Sequence, residues 1–214
     1  MFRLIMCTFL LSGTMGEIIR DGPCDLDNIN AVRDLDVTKM TGVWNQLKRI
    51  QNALEIGACS TLTITLHSEA NVTHIMLSNR EVYEKAAHVR EGRIVPRVNG
   101  IFSIEYQNMT YDSVVVATEY SKYAILYSCM PATENKSSIV AWVYSKTLTL
   151  EQVEQDANFT AAINSVNVLQ NATWVETKQT VDACKINAGV MFRLSPILAA
   201  LAMLFVCKDI IATN

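Results

Sequence analysis

The chain has 214 residues and a mass of 23.8 kDa, enough for one domain of ordinary size and too few for two that each bury a good core. Half of the residues are hydrophobic, 18% are charged and mean hydropathy is +0.18, which excludes a disordered tail or a highly charged coiled coil. A formal charge of -3 and a pI near 5.6 leave none of the basic footprint of nucleic-acid binding, so no nucleic-acid partner is expected.

The hydrophobic excess begins at the N-terminus. Met1-Phe2-Arg3, the apolar run 4–11 and the small residues of 12–16 have the charge, core and cleavage-site order of a secretory signal peptide over residues 1–16. A buried N-terminal helix is the alternative, but nothing amphipathic connects this run to the residues after it. Residues 17–187 are then expected to form a single domain.

Short strands dominate from Thr41 onward. In the stretch 59–67, Leu62, Ile64 and Leu66 lie on one face and Thr61, Thr63 and Thr65 on the other, the period of a half-buried strand. Runs of similar length occur at 72–79, 101–107, 113–118, 123–129 and 139–146, with turn-forming stretches such as 68–71, 108–112 and 131–136 between them. Consecutive strands with short connections favour an antiparallel meander. About eight of them remove their free edges by closing into a barrel that has room for one small ligand. Thr149-Leu150-Glu151-Gln152 has capping-box spacing, and Leu150, Val153, Ala157, Ile163 and Val166 make an apolar stripe beyond it. The expected class is therefore all-β: an eight-stranded antiparallel up-and-down barrel with one C-terminal α-helix packed outside.

The C-terminal segment 188–214 is apolar again. Its core, 194–207, is shorter than the about 20 apolar residues of a membrane-spanning helix. It suits the removable tail of a glycosylphosphatidylinositol (GPI) signal, with the small residues Asn187, Ala188 and Gly189 at the cleavage site and Asn187 as the attachment residue. The spacer is shorter than usual and the last residues are partly polar, so a retained membrane segment and plain secretion stay as alternatives.

Of the six cysteines, Cys7 lies in the expected signal peptide and Cys207 in the tail, which leaves Cys24, Cys59, Cys129 and Cys184 for two disulfides in any of three connectivities. The histidines His67, His74 and His88 are scattered and no CxxC spacing occurs, so neither a metal site nor a cofactor is expected. Sequons at Asn71, Asn108, Asn135, Asn158 and Asn171 agree with secretion and glycosylation.

Three motifs carry a family resemblance. Thr41-Gly42-Val43-Trp44, after the short turn 36–40, resembles the Gly-x-Trp that opens the first strand of the lipocalins. Thr118-Glu119-Tyr120 with Tyr123 is similar to the second lipocalin motif, between the sixth and seventh strands. Tyr144-Ser145-Lys146-Thr147 ahead of the helix resembles the third, in which an Arg ends the eighth strand. Within the family, residues 21–184 resemble the group of apolipoprotein D, insect Lazarillo and the bilin-binding proteins. Gly22-Pro23-Cys24, Cys59, Tyr127-Ser128-Cys129 and Cys184 fall where that group has its cysteines, so the resemblance implies the pairs Cys24–Cys129 and Cys59–Cys184. The likeness to Lazarillo also makes a GPI anchor less surprising.

The resemblance implies roles. Gly42, Trp44 and Lys146 are expected to close one end of the barrel, with Lys146 over the indole where relatives use Arg. Trp142, through Ala141-Trp142-Val143, matches a ligand-contacting tryptophan of apolipoprotein D. Parity then puts Val140 and Tyr144 beside it, and the apolar faces Leu62, Ile64 and Leu66, Phe102 and Ile104, and Tyr123, Ile125 and Tyr127 complete an apolar cup. Such a cup suits a fatty acid, sterol, retinoid, carotenoid or tetrapyrrole; alternatively, the same side chains merely fill the barrel. Asn108 and Asn135 are expected at the open mouth and Asn71 at the closed end. The expected function is extracellular binding and transport or sequestration of a small hydrophobic ligand at the outer face of the plasma membrane. The alternative is a glycosylated guidance protein that uses the barrel as scaffold for a cell-surface receptor. An enzyme is not expected, since all four mature cysteines pair and no Ser/His/Asp constellation or carboxylate pair stands out.

Overall fold

The computed structural model describes residues 18–187 apart from 53, 54, 71, 108, 133, 134 and 148. The expected signal peptide, the apolar tail, and the sequon residues Asn71 and Asn108 lie outside the described residues.

Among the described residues, ten strands run in chain order: Ile18–Asp21 (β1), Gly42–Ile50 (β2), Ala58–Glu69 (β3), Val72–Tyr83 (β4), Ala86–Pro96 (β5), Phe102–Tyr106 (β6), Met109–Glu119 (β7), Tyr123–Pro131 (β8), Lys136–Ser145 (β9) and Trp174–Glu176 (β10). The strands β2 to β9 pair antiparallel, each with the next, and β9 pairs back onto β2, so the sheet closes into an eight-stranded barrel. The two short outer strands extend this sheet: β1 pairs with β9 and β10 with β2. Irregular register in β2 between Gln46 and Lys48, in β3 between Ala58 and Thr61, and in β7 between Val115 and Ala117 bends the strands as closure requires.

Two apolar layers result. Inward side chains such as Trp44, Ile64, Leu77, Ile104, Leu126 and Trp142 form the barrel interior. A second layer, including Tyr123, Ile125, Tyr127, Ile139 and Val143, lies on the outer face of β8 and β9 and packs under the C-terminal helices. Because both of their faces are covered, β8 and β9 are buried nearly throughout, while β3 to β5 keep polar outer faces.

The structure refines three expectations. A strand that the alternation does not reveal, β5, completes the eight. The helical segment comes after β9 as expected, and Thr149 and Gln152 form the capping box, but the segment is broken into Leu150–Glu154 (α1), Ala157–Ser165 (α2) and Asn167–Gln170 (α3). The break falls at Asp156, whose carboxylate accepts from the backbone N–H of Asn158 and Phe159 and so starts α2 anew. Ala157 is consequently exposed, and Phe159 takes the buried position, edge-on to Tyr123 at 5.7 Å. The cysteines pair as Cys24–Cys129 and Cys59–Cys184, tying the N-terminal arm to β8 and the C-terminal segment to β3.

Candidate ligand cavity

One end of the barrel is sealed by a small set of side chains. A 3-10 turn, Val37–Met40, is capped by the carboxylate of Asp36, which accepts from the Thr38 N–H; hydrogen bonding to Thr38 holds the Asp36 carboxyl below the usual range. The backbone N–H of Asp36 donates to the Tyr120 hydroxyl at 3.1 Å, which fastens the turn across the barrel end. Trp44 is fully buried beneath it, and its Nε1 donates to the Met40 carbonyl at 2.7 Å. Lys146 Nζ lies 4.5 Å from the Trp44 ring centroid and donates to the Thr41 carbonyl at 2.8 Å. Gly42, Trp44 and Lys146 thus meet at this end.

Above the plug lies a narrow apolar cavity whose empty space, counted out to solvent, is about 820 Å³. Its wall takes Leu62 and Ile64 from β3, Leu77 from β4, Ile94 from β5, Phe102, Ile104 and Tyr106 from β6, Tyr111 and Val115 from β7, Ala124 and Leu126 from β8, and Trp142 and Tyr144 from β9. Burial, foremost, and then the charge of Glu55 push the phenols of Tyr144 and Tyr106 well up, so both stay neutral.

The other end is polar. Glu55, from the loop between β2 and β3, turns its carboxylate inside the barrel and is 2% exposed. Its Oε2 accepts from Gln46 Nε2 at 2.6 Å and Trp142 Nε1 at 2.7 Å. Its Oε1 accepts from Asn79 Nδ2 at 2.5 Å and pairs with Arg90 at 3.3 Å. Behind this cluster, the buried Arg49 donates to the Gln46 side-chain oxygen at 3.0 Å.

Of the residues expected to contact ligand, Trp142, Tyr144, Phe102, Ile104, Leu62 and Ile64 line this cavity, and Val140 belongs to the same interior layer. Two do not. Tyr127 pairs across β8 and β9 with Ala141, and cross-strand partners share a face; since Trp142 points in, Tyr127 points out, with Tyr123 and Ile125, into the layer under the helices. Leu66 keeps the parity of Leu62 and Ile64, but β3 runs past the barrel rim there and leaves it 43% exposed. Sequence reasoning missed the Glu55 cluster, because a lone carboxylate in a loop and single Gln, Asn and Arg residues on separate strands carry no spacing signal.

An up-and-down barrel closed at one end, with an apolar interior and a few polar groups at the other, is the architecture of the ligand-enclosing β-barrels. Residues 42–180 match the model of the lipocalin / cytosolic fatty-acid binding protein family, and the chain belongs to that family. Insecticyanin-A of Manduca sexta is 26% identical over 148 residues, covering 64% of this chain and 75% of that protein. Insecticyanin-B of the same insect is 25% identical over 165 residues, covering 71% and 77%. Among solved structures, lobster apocrustacyanin A1 superposes with a TM-score of 0.60 at 22% identity, covering 77% of this chain and 92% of that one. Insecticyanin of the tobacco hornworm does so at 0.60 and 20%, covering 80% and 94%. At these identities the structural matches establish the fold alone.

Proposed function

We propose that this protein is a secreted lipocalin, held at the outer face of the plasma membrane by a GPI anchor, that carries or sequesters one small hydrophobic ligand and catalyses nothing. The observation that carries the reading is the cavity itself: an apolar sleeve sealed at one end by Trp44 and Lys146 and bordered at the other by polar groups that would orient a guest. Trp142, Tyr144, Phe102, Ile104, Leu62 and Ile64 are its contact residues. Two disulfides suit an oxidising compartment, and the exposed asparagines Asn135, Asn158 and Asn171 suit glycosylation. The placing of the four cysteines supports kinship with the group of apolipoprotein D and Lazarillo.

Mass spectrometry of protein released from its native cells by a phosphatidylinositol-specific phospholipase tests both halves. The expected result is release together with a reproducible apolar small molecule. Retention of the protein with an intact C-terminus would remove the anchor, and a consistently empty barrel would remove the carrier. The number of sequons favours a second reading, a guidance protein that contacts a receptor through glycosylated loops, and an empty barrel on an active surface protein would select it.

A further inference from the structure

Glu55 is the one member of its cluster that no strand carries. Its donors sit on four different strands of the closed barrel, Gln46 on β2, Asn79 on β4, Arg90 on β5 and Trp142 on β9, and all converge on one carboxylate. Each carboxylate oxygen takes two of them, which fills the acceptor capacity of the group. Glu55 therefore has no lone pair left for a guest, and the donors that converge on it are committed; beside apolar wall, the lining holds phenols and the Asn79 side-chain oxygen, which is buried without a hydrogen-bond partner. An anionic head could reach these four donors only by taking the place of Glu55.

The chemistry of that place is set by charge. Arg90 faces it directly, and the buried guanidinium of Arg49 backs it through the Gln46 amide, whose oxygen it holds so that the NH2 points at the carboxylate. The other buried acid nearby, Glu81, is engaged by the Gly57 N–H at 2.6 Å. A neutral head would leave the partly exposed Arg90 guanidinium without its carboxylate partner, whereas an anion restores the pairing.

We propose that Gln46, Asn79, Arg90 and Trp142 form a head-group site for the carboxylate of an apolar acid, and that Glu55 occupies it in the empty protein as a built-in stand-in that the guest displaces. This rests on the carrier reading and specifies the guest: a long-chain or polyene carboxylic acid over the matching alcohol, sterol or hydrocarbon. The loop carboxylate acts as a competitor, weakening acids selectively and leaving uncharged guests unaffected.

The test is fluorescence titration of the full-length protein, purified from secreting cells, with cis-parinaric acid and its methyl ester. Glu55→Ala is expected to tighten the acid roughly tenfold while the ester changes by less than about threefold. Adding Arg90→Met to Glu55→Ala should return the acid to within about threefold of the ester. If Glu55→Ala tightens both probes equally, Glu55 is a plug and the head-group assignment falls while the carrier reading stands. An acid affinity unmoved by Glu55→Ala overturns the proposal in the same way. If no form binds either probe, the carrier reading fails and takes the proposal with it. Should Glu55→Ala not fold, as judged by near-ultraviolet circular dichroism, Glu55→Gln keeps the shape and removes the charge. It should then raise the acid-to-ester preference about threefold, and an unchanged preference overturns the proposal.

Discussion

The closed end of the barrel depends on a residue with no side chain. At Gly42 φ is +111°, and a Cβ built there would lie 3.7 Å from Cε and Nζ of Lys146. Space is therefore sufficient, and the backbone conformation is what demands glycine. Gly42→Ala should cost about 1–3 kcal/mol, as expected for a residue forced into a sparsely populated region, read from urea unfolding curves. A loss below that range would show that the neighbouring strands relax. The cavity gives a second contrast between single residues. Trp142→Ala removes an indole from the wall and one donor from Glu55, and should weaken binding of an apolar fluorescent probe roughly tenfold. Tyr127→Phe trims a hydroxyl on the outer face and should leave that binding unchanged, even though the sequence pattern makes Tyr127 look equivalent. An equal effect of the two changes would refute the parity drawn from the β8 and β9 register.

That parity explains where single strands could be read from sequence and where they could not. In β3 one face is wet, so alternation identifies the inner set. In β8 the outer face is covered by the helices, and Tyr123, Ile125 and Tyr127 are as buried as anything inside. Hydrophobicity then says that the strand is buried without saying which residues face in. The interior takes the smaller set, Ala124 and Leu126. The strand β5 was hidden for another reason: its inward positions are Arg90, Gly92 and Ile94, and only the last is apolar and large. A Cβ at Gly92 would come 2.5 Å from the Glu105 carbonyl oxygen and 2.9 Å from the Tyr106 ring, so the aromatic of β6 supplies the side chain that β5 lacks. The family motifs, by contrast, were legible because Gly42, Trp44, Tyr120 and Lys146 sit at fixed places at the barrel end. The β4–β5 hairpin carries its own prediction. Its two-residue turn, Glu84-Lys85, has φ of 51° and 62°, the arrangement that Asn-Gly adopts with least strain. Glu84→Asn with Lys85→Gly should stabilise the protein by about 1–2 kcal/mol, visible as a higher melting temperature. An unchanged melting temperature would mean that the native pair is held without strain by its surroundings.

At the scale of the whole molecule, the barrel, the helical segment and the two chain arms share one outer apolar layer, in which Tyr123 is 1% exposed and packs on Phe159. Burial, with smaller contributions from Asp156 and Glu119, pushes the Tyr123 phenol up to about 12. The cavity phenols Tyr106 and Tyr144 are raised too, also chiefly by burial. In the unfolded chain these groups ionise at about 10. Below that pH both states keep the protons and stability does not respond. Between about 10 and 12 the unfolded state releases protons that the folded state retains, so the unfolded state binds fewer and stability falls as pH rises. The urea midpoint should therefore be level from neutral pH to about pH 10 and decline from there to 12, with the tyrosinate absorbance of these residues appearing only as the chain unfolds. Tyr123→Phe removes one proton release from the unfolded state and should make the decline shallower in that window, while Tyr83→Phe, at an exposed position, should make far less difference. If Tyr106, Tyr123 and Tyr144 titrated with the folded barrel intact, the outer layer and the cavity would both be open to hydroxide, and the sealing of the barrel between the Trp44 plug and the helices would be wrong.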